Sequence, residues 1–469
     1  FRSRIVMNFA SMASNPYHTT ADNIKKVYLA TDGLPQAVML KGYGNEGHDS
    51  ANSEYADIAE REGGVEDFQE LIKIAHDYNT EIGIHVNAQE AYPEAASFNE
   101  EMLQKPFSNG WGWLDQSQVI DKLWDLSSQA RWKRFVQLYD RINGTDFYSR
   151  KWPDAVENSL GEVNATKEEI KKDAESREDN MDFIYLDVWY QDAWETRQIA
   201  DEINSLGWRF STEFSAEGEY DSTWQHWSTD AAYGGATSKG YNSDIIRFIR
   251  NDQRDSQVLN YPQFGGTADN PLLGGYRLYG FEGWGGDKDY DNYILQTFNQ
   301  NLPTKFLQHY YVTDWENYEE GESPVGNHEK QITLRNDSGD EVVVTRNEEQ
   351  RSDDNIERTI TLNGKKVLDD VTYLLPWTDN QDGSEKLYYW NLDGGQTTWE
   401  LPDGWEGLAN VVMYELSDQG RINETSVAVS GNSVTLDAKA ATAYVLVKGD
   451  AAGVKELAND FGEYDYVTD

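Results

Sequence analysis

Two acidic residues sit where their types and spacing could do chemistry together. Asp187 lies in FIYLDVWY, among large apolar neighbours, and Glu213 follows 26 residues later in WRFSTEF. A carboxylate buried in such company without partners costs several kcal/mol to ionise, so Asp187 needs compensating groups. Each acid falls near the end of a predicted strand, which in a parallel barrel is the end that opens onto the active site. Neighbouring parallel strands lie about 4.8 Å apart, so inward-facing carboxylates at matching heights would sit roughly 5 Å from each other. That is the spacing of a retaining glycosidase, about 5 to 5.5 Å, rather than the roughly 6.5 to 9.5 Å of an inverting one. Two carboxyls facing one pocket repel, which raises one pKa and leaves a protonated acid beside an ionised nucleophile. A strand-end carboxylate paired with a neighbouring Arg is the competing account.

Other polar and aromatic residues gather at the same predicted rim. GHDS, Gly47 to Ser50, follows the strand AVMLKGY and sets His48 beside Asp49, a carboxylate able to accept bonds from a sugar diol. A hydrogen-bonded structural pair would look the same. His85, in GIHVN, is again near a strand end, where a satisfied core histidine is the bland alternative. Trp111 and Trp113 flank a glycine in NGWGWLDQ, and an indole on such a loop can pack on the apolar face of a sugar or merely cover the core. GEYDSTWQHWSTD and GFEGWGG are similarly aromatic and polar, and either line the cleft or pack. No HExxH, EF-hand or cysteine cluster appears, so no cofactor or catalytic metal is implied, while a structural Ca2+ on loop carboxylates is allowed without a location.

These residues need a scaffold, and the first 310 or so residues supply an alternation of short apolar runs and amphipathic stretches, the βαβ signature. Strands are expected at Arg4 to Phe9, Ala37 to Tyr43, Glu81 to Asn87, Phe183 to Trp189 and Trp208 to Phe214. Further candidates near Asp230 to Gly234, Val258 to Tyr261 and Gly274 to Tyr279 bring the count close to the eight of a (β/α)8 barrel. In the clearest unit, Asp192 and Glu195 form a D-x-x-E capping pair after FIYLDVW. Ile199, Ile203 and Leu206 then supply a buried helix face, and Gly207 takes the left-handed end. From about Lys330 short alternating strands predict an antiparallel β-sandwich: KQITLRN, EVVVTRN, RTITLNG, TYLLPW, KLYYWNL, TTWEL, NVVMYEL, SVAVSGNSVTLDA and TAYVLVK. The expected organisation is α/β: a catalytic (β/α)8 TIM-like barrel over 1–318, the sandwich over 319–450 and an acidic tail over 451–469, with Thr313 to Asn327 as linker.

Composition removes several classes of function. With 83 Asp and Glu against 40 Lys and Arg, the formal charge of −43 repels nucleic acid and anionic membrane surfaces. Aromatics make up 13%, with 16 Trp and 28 Tyr, so the acidity does not bring the low hydrophobicity of disorder. There are no cysteines, which excludes disulfides, thiolate metal sites and Cys nucleophiles. No stretch approaches the roughly 18 to 20 apolar residues of a membrane span, and the opening FRSRIVMNFA lacks a signal peptide's apolar run, as expected of an interior fragment.

Read in order, FRSRIVMNFA, SNPYHTTADNIKK, LATDGL, LKGY, EGHDS, GGVEDF, GIHVNA, GWGWLDQ, FIYLDVW, GWRF, GEYDST, PLLGGY and FEGW resemble glycoside hydrolase family 101, the endo-α-N-acetylgalactosaminidases. Weaker similarity continues in VVVTR, RTITLNG and TTWELP. The resemblance implies an amylase-like barrel followed by a β-sandwich, and retaining release of Galβ1-3GalNAc from Ser or Thr of mucin-type O-glycoproteins outside a bacterial cell. It implies Asp187 as nucleophile, Glu213 as acid/base, substrate contacts at His48, Asp49 and His85, and a lid made by Trp111 and Trp113. The chain departs from the family in the short YQDAW loop after DVW, in FSAEGEY after Glu213, and in lacking flanking domains. An amylase-like hydrolase of another α-linked sugar and a non-catalytic mucin-binding module are the alternatives.

Overall fold

The computed structural model describes residues 6–10, 15–45, 47–51, 53–112, 115–151, 160–189, 191–213, 221–225, 272–273, 289–319, 321–322, 329–348 and 357–449. The expected strands at 230–234, 258–261 and 274–279, the segment 280–286, Trp113 and the acidic tail lie outside the described residues.

The chain folds as an N-terminal (β/α)8-type barrel followed by an antiparallel β-sandwich. Among the described residues the barrel's parallel strands begin with β1 (Val6–Ala10), β2 (Gln36–Leu40) and β3 (Thr80–Asn87). A small antiparallel insertion follows, made of β4 (Glu90–Ala91), β5 (Asn109–Gly112) and β6 (Gln116–Val119). The parallel order then resumes with β7 (Phe183–Asp187), β8 (Arg209–Thr212) and β9 (Trp224–Gln225), giving the sheet order β1-β2-β3-β7-β8-β9. Every residue of β2 and of β7 is buried, as continuous apolar runs covered on both faces require.

The helices that cover this sheet share its core. They include α1 (Tyr17–Ala30), α2 (Gly64–Asp77), α3 (Lys122–Ser128), α4 (Ala130–Asn143), α5 (Lys167–Glu175) and α6 (Ala193–Ser205). Ile199, Ile203 and Leu206 are fully buried and Gly207 has φ 79°, as the pattern predicts. The capping expectation is corrected. Asp192 is the residue before α6, but its side chain caps no backbone N–H and instead reaches Lys122 Nζ at 3.3 Å. Glu195 is buried against the same ammonium at 2.6 Å. A charged partner on α3 outcompetes the helix's own amides for both carboxylates.

The sandwich runs from β10 (Tyr311–Asn317) to β21 (Thr442–Lys448). Its first strand corrects the linker reading, because Tyr311–Asn317 pairs antiparallel with β11 (Glu329–Arg335). A domain boundary at 318 would leave this strand on the barrel side. An apolar cluster joins the two units: Val27 and Leu34 from the barrel pack with Phe298, Tyr388 and Trp390, the last stacked on Phe298 at 5.8 Å.

Candidate active site

Parallel register decides which side chains meet at the strand ends. In the β3–β7 pair His85 stands beside Tyr185 and Asn87 beside Asp187, so Asp187 closes its strand next to two polar residues of the neighbour. His85 Nε2 lies 2.9 Å from Asp187 Oδ2, both groups buried, and the His85 ring is stacked over Tyr185 with centroids 5.7 Å apart. Glu213 begins just past β8. Its N–H donates to Leu186 O at 3.0 Å, which fixes its height against β7.

His48 and Asp49 arrive on the loop after β2, which winds tightly enough to hold Asn45, Gly47, Asp49 and Ala51 all at positive φ. Both are buried rather than displayed on a rim loop, with His48 Nε2 3.3 Å from Asp49 Oδ2. The His48 and His85 rings meet edge to face at 4.5 Å. His48, Asp49, His85 and Asp187 thus form one cluster, each offering a ligand atom within 4.8 Å of the others, an arrangement that can also hold a metal ion. A second such group among the described residues, His18, Asp67 and Glu70, lies nearer the surface, at the N-terminal turns of α1 and α2.

Electrostatics divide the acids of this cluster. Burial alone would raise the Asp187 pKa, but the His85 imidazole, the Lys41 ammonium and a hydrogen bond with the Glu213 carboxyl outweigh it and hold the group well below the usual carboxylate range. Asp49 goes the other way, pushed up to about 7 by burial and by the charge of Asp187. Burial lowers both histidines, with His85 and Lys41 adding to the effect at His48, so neutral rings line the pocket. Asp187, held ionised, and Glu213 thus stand together at the ends of adjacent strands, with hydrogen-bonding groups around them.

Trp111 is carried by β5 with its ring 56% exposed, a large apolar surface in solvent. Four contributors escape the sequence reading. Lys41 is visible only as the strand-end residue of LKGY, and Asn87 only as the last residue of GIHVN. Glu90 has no motif of its own, and Val188, whose N–H donates to Glu213 Oε2 at 3.0 Å, reads as an ordinary strand residue.

Comparison with known proteins adds the following. Residues 1–294 match the family model described as Endo-alpha-N-acetylgalactosaminidase, and residues 300–422 match the Glycosyl hydrolase 101 beta sandwich domain. A Renibacterium salmoninarum protein named "Putative endo-alpha-N-acetylgalactosaminidase" is 32% identical over 456 residues, 95% of this chain. The chain spans 26% of that relative's length. Among solved structures, the α-N-acetylgalactosaminidase NagBb of Bifidobacterium bifidum in complex with Gal-NHAc-DNJ aligns with 73% of this chain and 56% of its own, at 11% identity and TM-score 0.46. A maltogenic α-amylase, AmyB of Thermotoga neapolitana, aligns with 95% of this chain and 98% of its own, at 9% identity and TM-score 0.42.

Proposed function

Because the chain belongs to the endo-α-N-acetylgalactosaminidase family, we propose that it is a retaining glycosidase that releases Galβ1-3GalNAc from Ser and Thr of mucin-type O-glycoproteins outside a bacterial cell. One observation carries this reading: Asp187, held ionised, and Glu213, whose N–H is bonded to Leu186 O at 3.0 Å, close adjacent parallel strands side by side. An inverting enzyme keeps its carboxyls roughly 6.5 to 9.5 Å apart to admit a water, and two carboxyls near enough to interact suit the roughly 5 to 5.5 Å of a retaining pair better. Glu213, half-buried, gives its proton to the glycosidic oxygen. Asp187 attacks the anomeric carbon to form the glycosyl-enzyme, and Glu213 then takes a proton from the water that hydrolyses it.

The remaining residues suit a sugar. Neither Asp49 oxygen, nor His85 Nδ1, has a well-formed hydrogen bond among the described residues although all are buried, which leaves them available to hydroxyls. His48 lies within the same set, and exposed Trp111 offers an apolar face on which a sugar can pack. No cofactor enters these steps.

The test is a defined Galβ1-3GalNAc-Ser peptide, with products followed by mass spectrometry and proton NMR. Disaccharide released first as the α-anomer supports the proposal, whereas a β-anomer overturns retention and an intact peptide overturns the activity. Cleavage of maltooligosaccharides in place of the peptide would favour an amylase-like specificity. Asp187→Asn should end turnover without unfolding the chain, and Asp187→Ala with azide should yield a glycosyl azide.

A further inference from the structure

We propose that Glu90 is a positioning residue that clamps the Trp111 hairpin to the catalytic strand ends, acting through the backbone of Trp111 and never touching the substrate. The proposal rests on the reading that Trp111 covers the sugar.

Glu90 is buried, yet among the described residues no Lys or Arg pairs with it. Its carboxylate is instead surrounded by neutral donors from three places. Asn87 Nδ2 donates to Oε2 at 2.8 Å, and the Trp111 N–H faces both oxygens at 3.1 and 3.2 Å. Ser117 Oγ lies 2.6 Å from Oε2 and 2.7 Å from Trp111 O, so its single proton serves one or the other. Burying a carboxylate without a cation is expensive, and only well-placed donors make it tolerable.

The donors connect parts of the molecule that matter to the proposed chemistry. Asn87 is the last residue of β3 and stands beside Asp187 in register, so a single side chain separates Glu90 from the proposed nucleophile. Trp111 and Ser117 belong to the β5–β6 hairpin, whose pairing slips between Asn109 and Gly112. Gly110 shows how closely the hairpin is pressed down: a Cβ there would stand 2.3 Å from the Glu90 carboxyl and 2.4 Å from Ser117 Oγ. The result is a Trp whose ring is exposed while its backbone is anchored from beneath, a platform that needs little further ordering when a sugar arrives.

The experiment compares Glu90→Gln, Glu90→Ala and Gly110→Ala, each with and without Trp111→Ala, on the core-1 glycopeptide, alongside amide hydrogen exchange of the uncleaved protein. Glu90→Ala should raise KM about tenfold with kcat within about twofold, and Glu90→Gln, which keeps one acceptor oxygen, should lose less. In the Trp111→Ala background Glu90→Ala should add less than about twofold, since the two act as one unit. Gly110→Ala, whose added methyl pushes the hairpin off the Glu90 carboxyl, should reproduce the KM effect if Glu90→Ala fails to fold. The Trp111 amide should exchange at least about tenfold faster in Glu90→Ala while the β3 and β7 amides keep their protection. Unchanged exchange at Trp111, or full additivity with Trp111→Ala, overturns the clamp. Faster exchange with KM unmoved in every variant, Trp111→Ala included, instead overturns the reading of Trp111 as a lid.

Discussion

Val188 donates its backbone N–H to Glu213 Oε2 at 3.0 Å from a left-handed conformation, φ 50°. A β-branched residue at positive φ is a genuine outlier, worth on the order of 1 to 3 kcal/mol of strain, and it stands directly after Asp187. The strained turn ends β7 at Asp187 and aims an amide at the carboxyl assigned to acid/base work. Val188→Gly should relieve the strain and loosen that amide together. Its Tm should stay within about 5 °C of the parent, because relief offsets the lost half-buried isopropyl group. Its kcat should fall about tenfold through misplaced Glu213. A variant that unfolds much earlier while keeping full kcat would show that the turn serves stability alone.

The His85–Asp187 contact makes a prediction about pH. Asp187 sits well below the usual carboxylate range, burial being outweighed by His85, Lys41 and Glu213. A depressed carboxylate contributes stability that is present above its unfolded pKa and lost as pH falls through its folded value. His85→Gln removes the first-ranked of those compensating groups, so the Asp187 pKa must rise. The acid limb of kcat/KM and the acid edge of the Tm profile should both move to higher pH. An acid limb that stays in place would mean that Asp187 owes its ionisation to other groups.

Asp49 carries the opposite sign. Its pKa is raised from 3.8 to about 7, by burial first and Asp187 second. Its contribution to stability is therefore fully present below the unfolded value and is lost as pH rises through about 7. The shift corresponds to at most about 4 kcal/mol across that window. Asp49→Asn, an uncharged mimic of the protonated form, should flatten the decline in Tm between about pH 4 and 7 relative to the parent. A decline of equal steepness in the variant would locate the titrating group elsewhere.

Much of the scaffold is legible because its signals are local. FIYLDVW is continuous enough to demand burial on both faces, and Ile199, Ile203, Leu206 and Gly207 encode one helix and its end within nine residues. The strands from KQITLRN to TAYVLVK likewise show their own alternation. Lys365–Asp369 escapes that reading although Asn363 and Gly364, at φ 50° and 81°, form the Asn-Gly turn that announces its hairpin. What stays hidden depends on partners distant in sequence. Asp192 looks like a helix cap until Lys122, seventy residues earlier, takes its carboxylate. Thr313 to Asn317 reads as the start of a linker until β11 pairs with it. Val188 is the clearest case, because its type argues for an extended strand and only the packing of Asp187 against Glu213 turns it left-handed. The site's anchors escape for the same reason that its proposed catalytic pair does not: an acid among apolar residues is conspicuous, while Glu90 in NAQEAY is one acid among 83.

The junction between barrel and sandwich turns on Asp32, the residue after the cap of α1, buried at φ 55°. Its carboxylate receives Arg421 Nε and Nη2 at 2.6 and 2.8 Å and Lys386 Nζ at 3.1 Å, while the adjacent Thr31 carbonyl accepts from Tyr388 at 2.8 Å. Burial would raise the Asp32 pKa, but Lys386 and Arg421 outweigh it and the pKa is lowered, so this contribution is present above the unfolded carboxylate pKa and lost on acidification through the folded one. Removing Asp32 from such a cluster leaves a buried ammonium whose remaining counter-charge among the described residues is Asp379, 3.4 Å away. Asp32→Ala should therefore cost about 3 to 5 kcal/mol in urea unfolding. Asp32→Asn, which retains the left-handed tolerance and one acceptor, should cost less, and both should weaken the acid dependence of unfolding. Loss of under about 1 kcal/mol in Asp32→Ala would mean that the apolar contacts of Phe298, Tyr388 and Trp390 alone hold the two units together.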